Sequence, residues 1–352
     1  MDEHSLEVLE LEKILQHVKS YAATELGVEI INRLRPVSEL EYIQERLQEV
    51  TAGRNILENY GPPPLGGISD LRATLKKAAK GMVLNSGEIM SVRKALGAFT
   101  ALKNYFRQIV EDNDPRFLER RYAVVTDLEG EISPLKELKK EIDRVFDDYG
   151  EIKDTASSRL RSLRKSIRNH EDRIRDKLEG IIKGRKYQSM LQDSLVTRRE
   201  GRYVVPVKQE HRNSFSGIVH DQSSSGMTIF MEPMAVVKLN NRLRELKSEE
   251  EREIHRLLQE ITIRIEQHIP GIKSGLQTAS ILDVIFARAS YSSEIGGCAP
   301  DLNEAGRIEI RQGRHPLLQN EPVPIDVEVG DVIEISRNSF AGETKYYRVV
   351  IE

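Results

Sequence analysis

The chain has 352 residues, enough for more than one domain, with 31% charged residues, 5% aromatics and no tryptophan. Such a composition favours long charged helices over a sandwich or barrel. A formal net charge of -3 excludes a general polycation, so any surface for phosphates has to come from local segregation of charge.

The single cysteine, Cys298, excludes an intrachain disulfide and fits a reducing compartment; beside Ala299 it reads as a core residue. The N-terminal MDEHSLEVLELEKIL is acidic and amphipathic, unlike a signal peptide, and no apolar run approaches the ~20 residues of a membrane span. A soluble cytoplasmic protein with no membrane partner is the expectation.

In chain order, residues 1–121 read as a helical core domain. Leu6, Leu9, Leu11, Ile14, Leu15 and Val18 form an opening stripe, and either Ser20 or Thr24 is placed to cap the following turn. Pro36 ends the next segment, and Ser38 with Glu41 has the spacing of a capping box. The loop YGPPPLGG at 60–67 is a break. Asn85-Ser86 then caps a helix carrying Ile89, Val92, Leu96 and Phe99.

Residues 122–194 read as one outgoing helix. Its apolar seam runs through Leu135, Leu138, Ile142, Val145, Tyr149 and Ile152, and resumes at Leu160, Leu163, Ile167, Ile174, Leu178 and Ile181. A seam of this length needs a partner, and residues 234–270 supply it with Val236, Leu239, Leu243, Leu246, Ile254, Leu257 and Ile261. The two pair antiparallel. Between them, 195–233 divides into four short strands near 195–199, 202–208, 217–222 and 227–231, with turns at Glu200-Gly201 and at Ser223–Gly226. Residues 271–297 return as an apolar helix to the first domain. Residues 298–352 change to strand patterns, as in GRIEIRQGRHPLL and VPIDVEVGDVIEIS.

Residues 153–202 carry fifteen basic against seven acidic side chains, a net +8 in a chain of negative total charge. A cationic stripe rising toward one end of a helix pair suits a phosphate backbone; the alternative is a solvated helix face. The candidate contacts are Lys183, Arg185 and Lys186 at the end of the outgoing helix, and Arg198, Arg199, Arg202, Lys208 and Arg212 on the sheet. Tyr203, Phe215 and Phe230 are scattered at sheet-packing positions, so backbone contact rather than base readout is expected. His220-Asp221 followed by Ser223–Ser225 superficially suggests a catalytic triad, but neighbouring strand residues point to opposite faces and a Ser-Gly turn is the simpler reading. No histidine pair has metal-ligand spacing with a third ligand nearby.

Three segments, RYVVPVKQE, GIVHDQSSSGMTIFMEP and VVKLNNRLRELKSEEEREI, resemble the type-two branch of the bacterial MutS family. The likeness extends back through GEIKDTASSRLRSLRKSI and LEVLELEKILQHVKSYAATELG and forward through GRHPLL, covering residues 1 to about 330. It implies a mainly α fold: a helical core, a long antiparallel coiled-coil lever, a small four-stranded antiparallel β clamp touching DNA without sequence preference, and a β-rich C-terminal start of an ABC-type ATPase domain. The family is associated with suppressing recombination at branched DNA and with stalled or collided ribosomes. Its full-length members use ATP and Mg and usually end in an Smr nuclease domain.

Near its end the chain departs from that pattern. Against the family's G-P-N-T-G-G-K-T phosphate loop, Gly342 and Thr344 are in register, but Glu343 holds the lysine position and Arg337 the first glycine position. A carboxylate there repels the phosphates that the lysine would meet. In the family His315 would lie near the adenine. With no Walker B motif, signature loop or Smr domain before Glu352, the expectation for this chain is no catalytic residue, no metal, no cofactor and no working ATPase. The expected function is sequence-independent binding of duplex or branched DNA. The alternative is a ribosome-associated or protein-interaction module that binds stalled or collided ribosomes, or rRNA, through the lever and clamp, and homodimerisation is open.

Overall fold

The computed structural model describes residues 3–114, 130–304, 306–318 and 322–330, together with Arg116, Leu118, Tyr122 and Leu128. The chain divides into two compact units. One comprises residues 1–75, 91–136 and 267–352, the other 76–90 and 137–266.

The first unit is built on helices. After α1 (Glu3–Val8), helix α2 (Leu11–Ser20) buries Leu15 and Val18 against α3 (Glu25–Asn32), whose Ile31 is fully buried. Thr24 is the N-cap of α3: its hydroxyl accepts the Gly27 N–H at 2.9 Å. The capping box expected at Ser38 and Glu41 does not form. Helix α4 (Leu40–Tyr60) starts at Glu39 with no side-chain cap. The short α5 (Arg72–Ala79) leads to α6 (Ser86–Glu111), whose start is capped as expected and reciprocally: Asn85 Oδ1 accepts the Glu88 N–H at 2.9 Å and Glu88 Oε2 accepts the Asn85 N–H at 2.7 Å.

The second unit corrects the continuous outgoing helix. Helix α7 (Lys136–Val145) stops, and α8 begins only at Ser158, running to Lys183. Between them Asp147 Oδ1 accepts the N–H groups of Tyr149 and Glu151, both at 2.9 Å, and Gly150 adopts φ 85°. The turn closes with a bridge between Phe146 and Ile152. Ile152 is therefore buried by pairing across a turn, and Tyr149, which fits the helical spacing, is 94% exposed. Four residues, Arg185–Gln188, form α9.

The partner helix α10 (Met234–Gln267) is unbroken over 34 residues, a length of about 51 Å at 1.5 Å per residue. It lies antiparallel to α8: Arg164 Nε reaches Glu250 at 2.8 Å, Lys247 reaches Glu171 at 3.2 Å, and Lys177 Nζ lies 3.5 Å from the Ala235 carbonyl. Leu163, Ile167, Ile174 and Leu178 of α8 form one core with Val236, Leu243 and Leu246 of α10. At the base of the pair, Ser157 caps α8 by accepting the Leu160 N–H and donates its own hydroxyl to the buried Glu253 at 2.7 Å.

The sheet at the other end follows the expected pattern closely. Its strands are β1 (Thr197–Arg199), β2 (Arg202–Lys208), β3 (Gly217–Gln222) and β4 (Thr228–Pro233), all antiparallel in the order β1-β2-β4-β3. Glu200 at φ 49° and Gly201 at φ 75° make the two-residue turn that joins β1 to β2 with Arg199 opposite Arg202. Val205, Val207, Ile229 and Met231 face inward and share the core of the helix pair.

After α10, Pro270 stands in the first turn of a new helix, α11 (Ile269–Glu294), where its missing N–H is no loss. Helix α11 packs Val284, Ala287 and Tyr291 with Leu15, Val18 and Ile31 of the first unit. Its buried Asp283 accepts the N–H groups of Ala23 and Thr24, both at 2.8 Å, and the Thr24 hydroxyl at 2.6 Å. Cys298 is exposed, not a core residue: it follows Gly296-Gly297 beyond the helix end, in a segment of no regular structure. The described C-terminal part holds β5 (Ile308–Gly313) paired antiparallel with β6 (Ile325–Val329). Arg337, Gly342, Glu343 and Thr344 lie outside the described residues.

Candidate nucleic-acid interface

The four-stranded sheet and the adjoining ends of α8 and α10 gather the candidate cations into one region of the second unit. Backbone bonds do much of this. Lys208 N–H donates to the Met190 carbonyl at 2.9 Å, and Leu191 bridges Val207. The Tyr187 ring meets the Phe215 ring edge-on at a centroid distance of 5.5 Å. The α9 turn carrying Arg185 and Lys186 thus sits beside the turn, 209–215, that carries Arg212.

At the centre is a buried carboxylate that sequence reasoning did not single out. Glu232 on β4 is 0% exposed. Arg202 Nη1 donates to both of its oxygens, at 2.9 and 3.0 Å; Asn240 Nδ2 donates to Oε1 at 2.7 Å, and His220 Nε2 lies 2.7 Å from Oε2. Asn240 also bonds the backbone of Tyr203 through both ends of its amide, and Arg202 reaches Asn241 at 2.8 Å. One acid therefore ties β2, β3 and β4 to α10. The available sequence signal was a charged residue in an apolar strand, TIFMEP, immediately before the helix.

The predicted arginines fall into two groups. Arg198 pairs with Glu171 at 2.8 Å, donates to the Tyr203 hydroxyl and stacks on that ring at 4.3 Å. The Tyr203 hydrogen bond, reinforced by the Glu171 charge, raises its pKa above the ordinary arginine value. Arg199 pairs with Asp221 at 2.9 Å and lies 4.0 Å from the Phe230 ring centroid. Arg202 is committed to Glu232. These three hold the tip together. Arg185, Lys208 and Arg212 make no ion pair among the described residues; Lys186 lies over the Tyr187 ring, and Lys183 has only the exposed partner Glu179, an attraction of little strength in water. Arg161, Lys165, Arg173 and Arg175 on α8 are likewise exposed cations with no ion pair among the described residues.

The triad is absent for a more specific reason than strand alternation. The register of β3 shifts between Val219 and Asp221, and His220 and Asp221 take different partners, Glu232 and Arg199. Ser223 serves the turn by accepting the Thr228 N–H at 3.1 Å. Among the described residues no group of three or more His, Cys, Asp or Glu is placed to hold a metal, and no helix is long and apolar enough to cross a membrane. His315 lies in the first unit, in a shallow cleft with Glu10, Lys13, Gln16, His17, Leu317 and Leu318, and its Nδ1 accepts the Leu317 N–H at 3.3 Å.

No family model matches the chain. It is 52% identical over 331 residues to the endonuclease MutS2 of Halothermothrix orenii, a match spanning 94% of this chain and 42% of that protein. It is 39% identical over 329 residues to the endonuclease MutS2 of Halalkalibacterium halodurans, across 93% of this chain and 41% of that protein. The endonuclease MutS2 of Geobacillus thermodenitrificans is 38% identical over 331 residues, covering 94% of this chain and 42% of that protein. Across nearly its whole length, then, the chain is a MutS-type protein. The homologues support its membership of the MutS2 family, and it spans about two-fifths of the length of the curated relatives it matches.

Proposed function

We propose that the second unit binds DNA, duplex or branched, through its phosphates and without sequence preference. The sheet with the distal helix pair acts as the clamp, and α8 with α10 as the lever. The observation that carries this reading is the separation of the cations into two sets: Arg198, Arg199 and Arg202 are bound to carboxylates of the protein, and Arg175, Arg185, Lys208 and Arg212 have no ion pair among the described residues. Cations left unpaired beside a preorganised sheet suit a polyanion, because each contact releases condensed counterions. Lys183 and Lys186 add to the same region. MutS2 relatives support a nucleic-acid role in general, and the choice of DNA follows the family resemblance.

Anisotropy titrations of two unrelated fluorescent duplexes at several salt concentrations test the reading. Affinity should fall by roughly one power of salt concentration per phosphate neutralised, alike for both sequences. Salt-insensitive binding, or tight binding to ribosomal particles with none to DNA, would overturn it. For this chain we expect no ATP turnover, since Glu343 stands where the phosphate loop of the resembled family has lysine. Measurable hydrolysis lost in Thr344→Ala would refute that expectation.

A further inference from the structure

The first unit holds a charged cluster whose hydrogen bonding the fold does not complete. Helices α4 and α11 pack closely at Gly53, where a methyl group would lie 3.0 Å from the Ala289 side chain and 3.3 Å from Ile285. One turn before Gly53 is Glu49, 3% exposed and paired with Arg46 at 2.8 Å. One residue before Ala289 is Arg288, partly buried, which makes no hydrogen bond and no ion pair among the described residues. Burial pushes its pKa below the ordinary arginine value; Glu49 attracts it and Arg46 repels it. Arg46 stacks on the Tyr42 ring at 5.0 Å, and its Nε is buried with no hydrogen-bond partner among the described residues. The second acid of Arg46, Glu45, lies 3.4 Å away and is 63% exposed, so water screens it. Two guanidiniums therefore share one buried carboxylate.

A guanidinium withdrawn from water without an acceptor is costly, and its donors call for an anion. A compact oxyanion answers best, because its oxygens match the planar fork of arginine. A long polyanion or an acidic peptide is disfavoured by the exposed acids that flank the cluster on α4, Glu41 and Glu45. We propose that Arg288, with Arg46, binds one small phosphate-type oxyanion where α4 meets α11, either free phosphate or the phosphate of a small monoester. The site belongs to the first unit and is independent of the DNA-binding reading.

The test is hydrogen exchange of the Ile285 and Ala289 amides in the 352-residue chain, with inorganic phosphate exchanged for chloride at constant ionic strength. For a dissociation constant of about 1 mM, about 20 mM phosphate should raise their protection about twentyfold. Glycerol phosphate in its place distinguishes the sources: a larger rise assigns the site to a monoester, an equal or smaller one to free phosphate, and both support the proposal. Arg288→Lys keeps the charge but not the fork, so the rise should shrink to about threefold. Arg288→Met should abolish it, and without phosphate should leave protection equal or up to about threefold higher, because an unpaired buried cation is gone. Duplex DNA should not protect these amides. No phosphate-dependent rise in the wild-type chain, an equal rise with acetate or duplex DNA, or a full rise in Arg288→Met overturns the proposal. So does a tenfold loss of protection in Arg288→Met without phosphate, which would make Arg288 a purely structural residue.

Discussion

Replacing Glu232 should loosen the sheet and its junction with α10 far more than removing any exposed charge of the tip. The carboxylate is fully buried and engages Arg202, His220 and Asn240, so its loss leaves a guanidinium with only 18% of its side chain exposed and no counter-charge. Breaking one partner of a buried pair typically costs about 3–5 kcal/mol, and Glu232→Ala should fall in that range. Glu232→Gln keeps the volume and part of the hydrogen bonding but not the charge, for a loss of about 2–3 kcal/mol. With two compact units, a global unfolding curve mixes contributions, so the better assay is hydrogen exchange of single amides. Val205 and Met231, which face each other across β2 and β4, should lose roughly a hundredfold in protection in Glu232→Ala. A double-mutant cycle with Arg202→Ala should show strong coupling. Protection unchanged within about threefold in Glu232→Ala would refute the claim that this acid organises the tip.

Arg256, with the Ser157 hydroxyl, holds Glu253 at a pKa of about 2, below its ordinary 4.5, so the stability it adds is fully present above pH 4.5 and lost as pH falls through about 2. Glu253→Gln should therefore destabilise the base of the helix pair by about 1–3 kcal/mol at neutral pH, and thermal melts of the two proteins should converge toward pH 2. Gly275→Ala would place a methyl group 2.7 Å from the Phe99 ring and Gly27→Ala one 2.2 Å from the Asp283 carboxylate, so both should lower the Tm by several degrees; Gly66→Ala, with nothing within 4 Å, should not. Tyr149→Ser should change stability by less than about 0.5 kcal/mol, because the ring is 94% exposed, whereas Ile142→Ser in the same apparent seam should be severely destabilising.

The elements that could be read from sequence were those in which local chemistry and burial agree. Glu200-Gly201 marks a two-residue turn between alternating runs, and β2 and β3 occupy the residues that their β-branched pattern marks. Asn85 with Glu88 announces its helix start unambiguously. The long seam misled at 146–157 because hydrophobic spacing does not register a turn held by one side chain. Asp147 closes that turn with two backbone bonds, and a chance match placed Tyr149 on the helical period. The candidate interface was legible as a concentration of charge but not in its division of labour. Nothing local distinguishes Arg202 from Arg212: the first owes its role to Glu232, thirty residues away, and the second stands on a turn and has no ion pair among the described residues. The placement of Arg288 near Glu49 and Arg46 needed the fold to bring α4 against α11, and so lay beyond any reading of motifs.

DNA binding by the tip is tested most directly by comparing the salt dependence of duplex binding in the wild-type chain and in Arg175→Gln/Arg185→Gln/Arg212→Gln. These three side chains are exposed and have no ion pair among the described residues, so the fold should persist, as circular dichroism would check. If they meet phosphates, the slope of log affinity against log salt should flatten by about 0.9 for each phosphate no longer neutralised, and all duplexes should weaken alike. An unchanged slope with undiminished affinity would contradict the assignment of the tip as the DNA-binding surface.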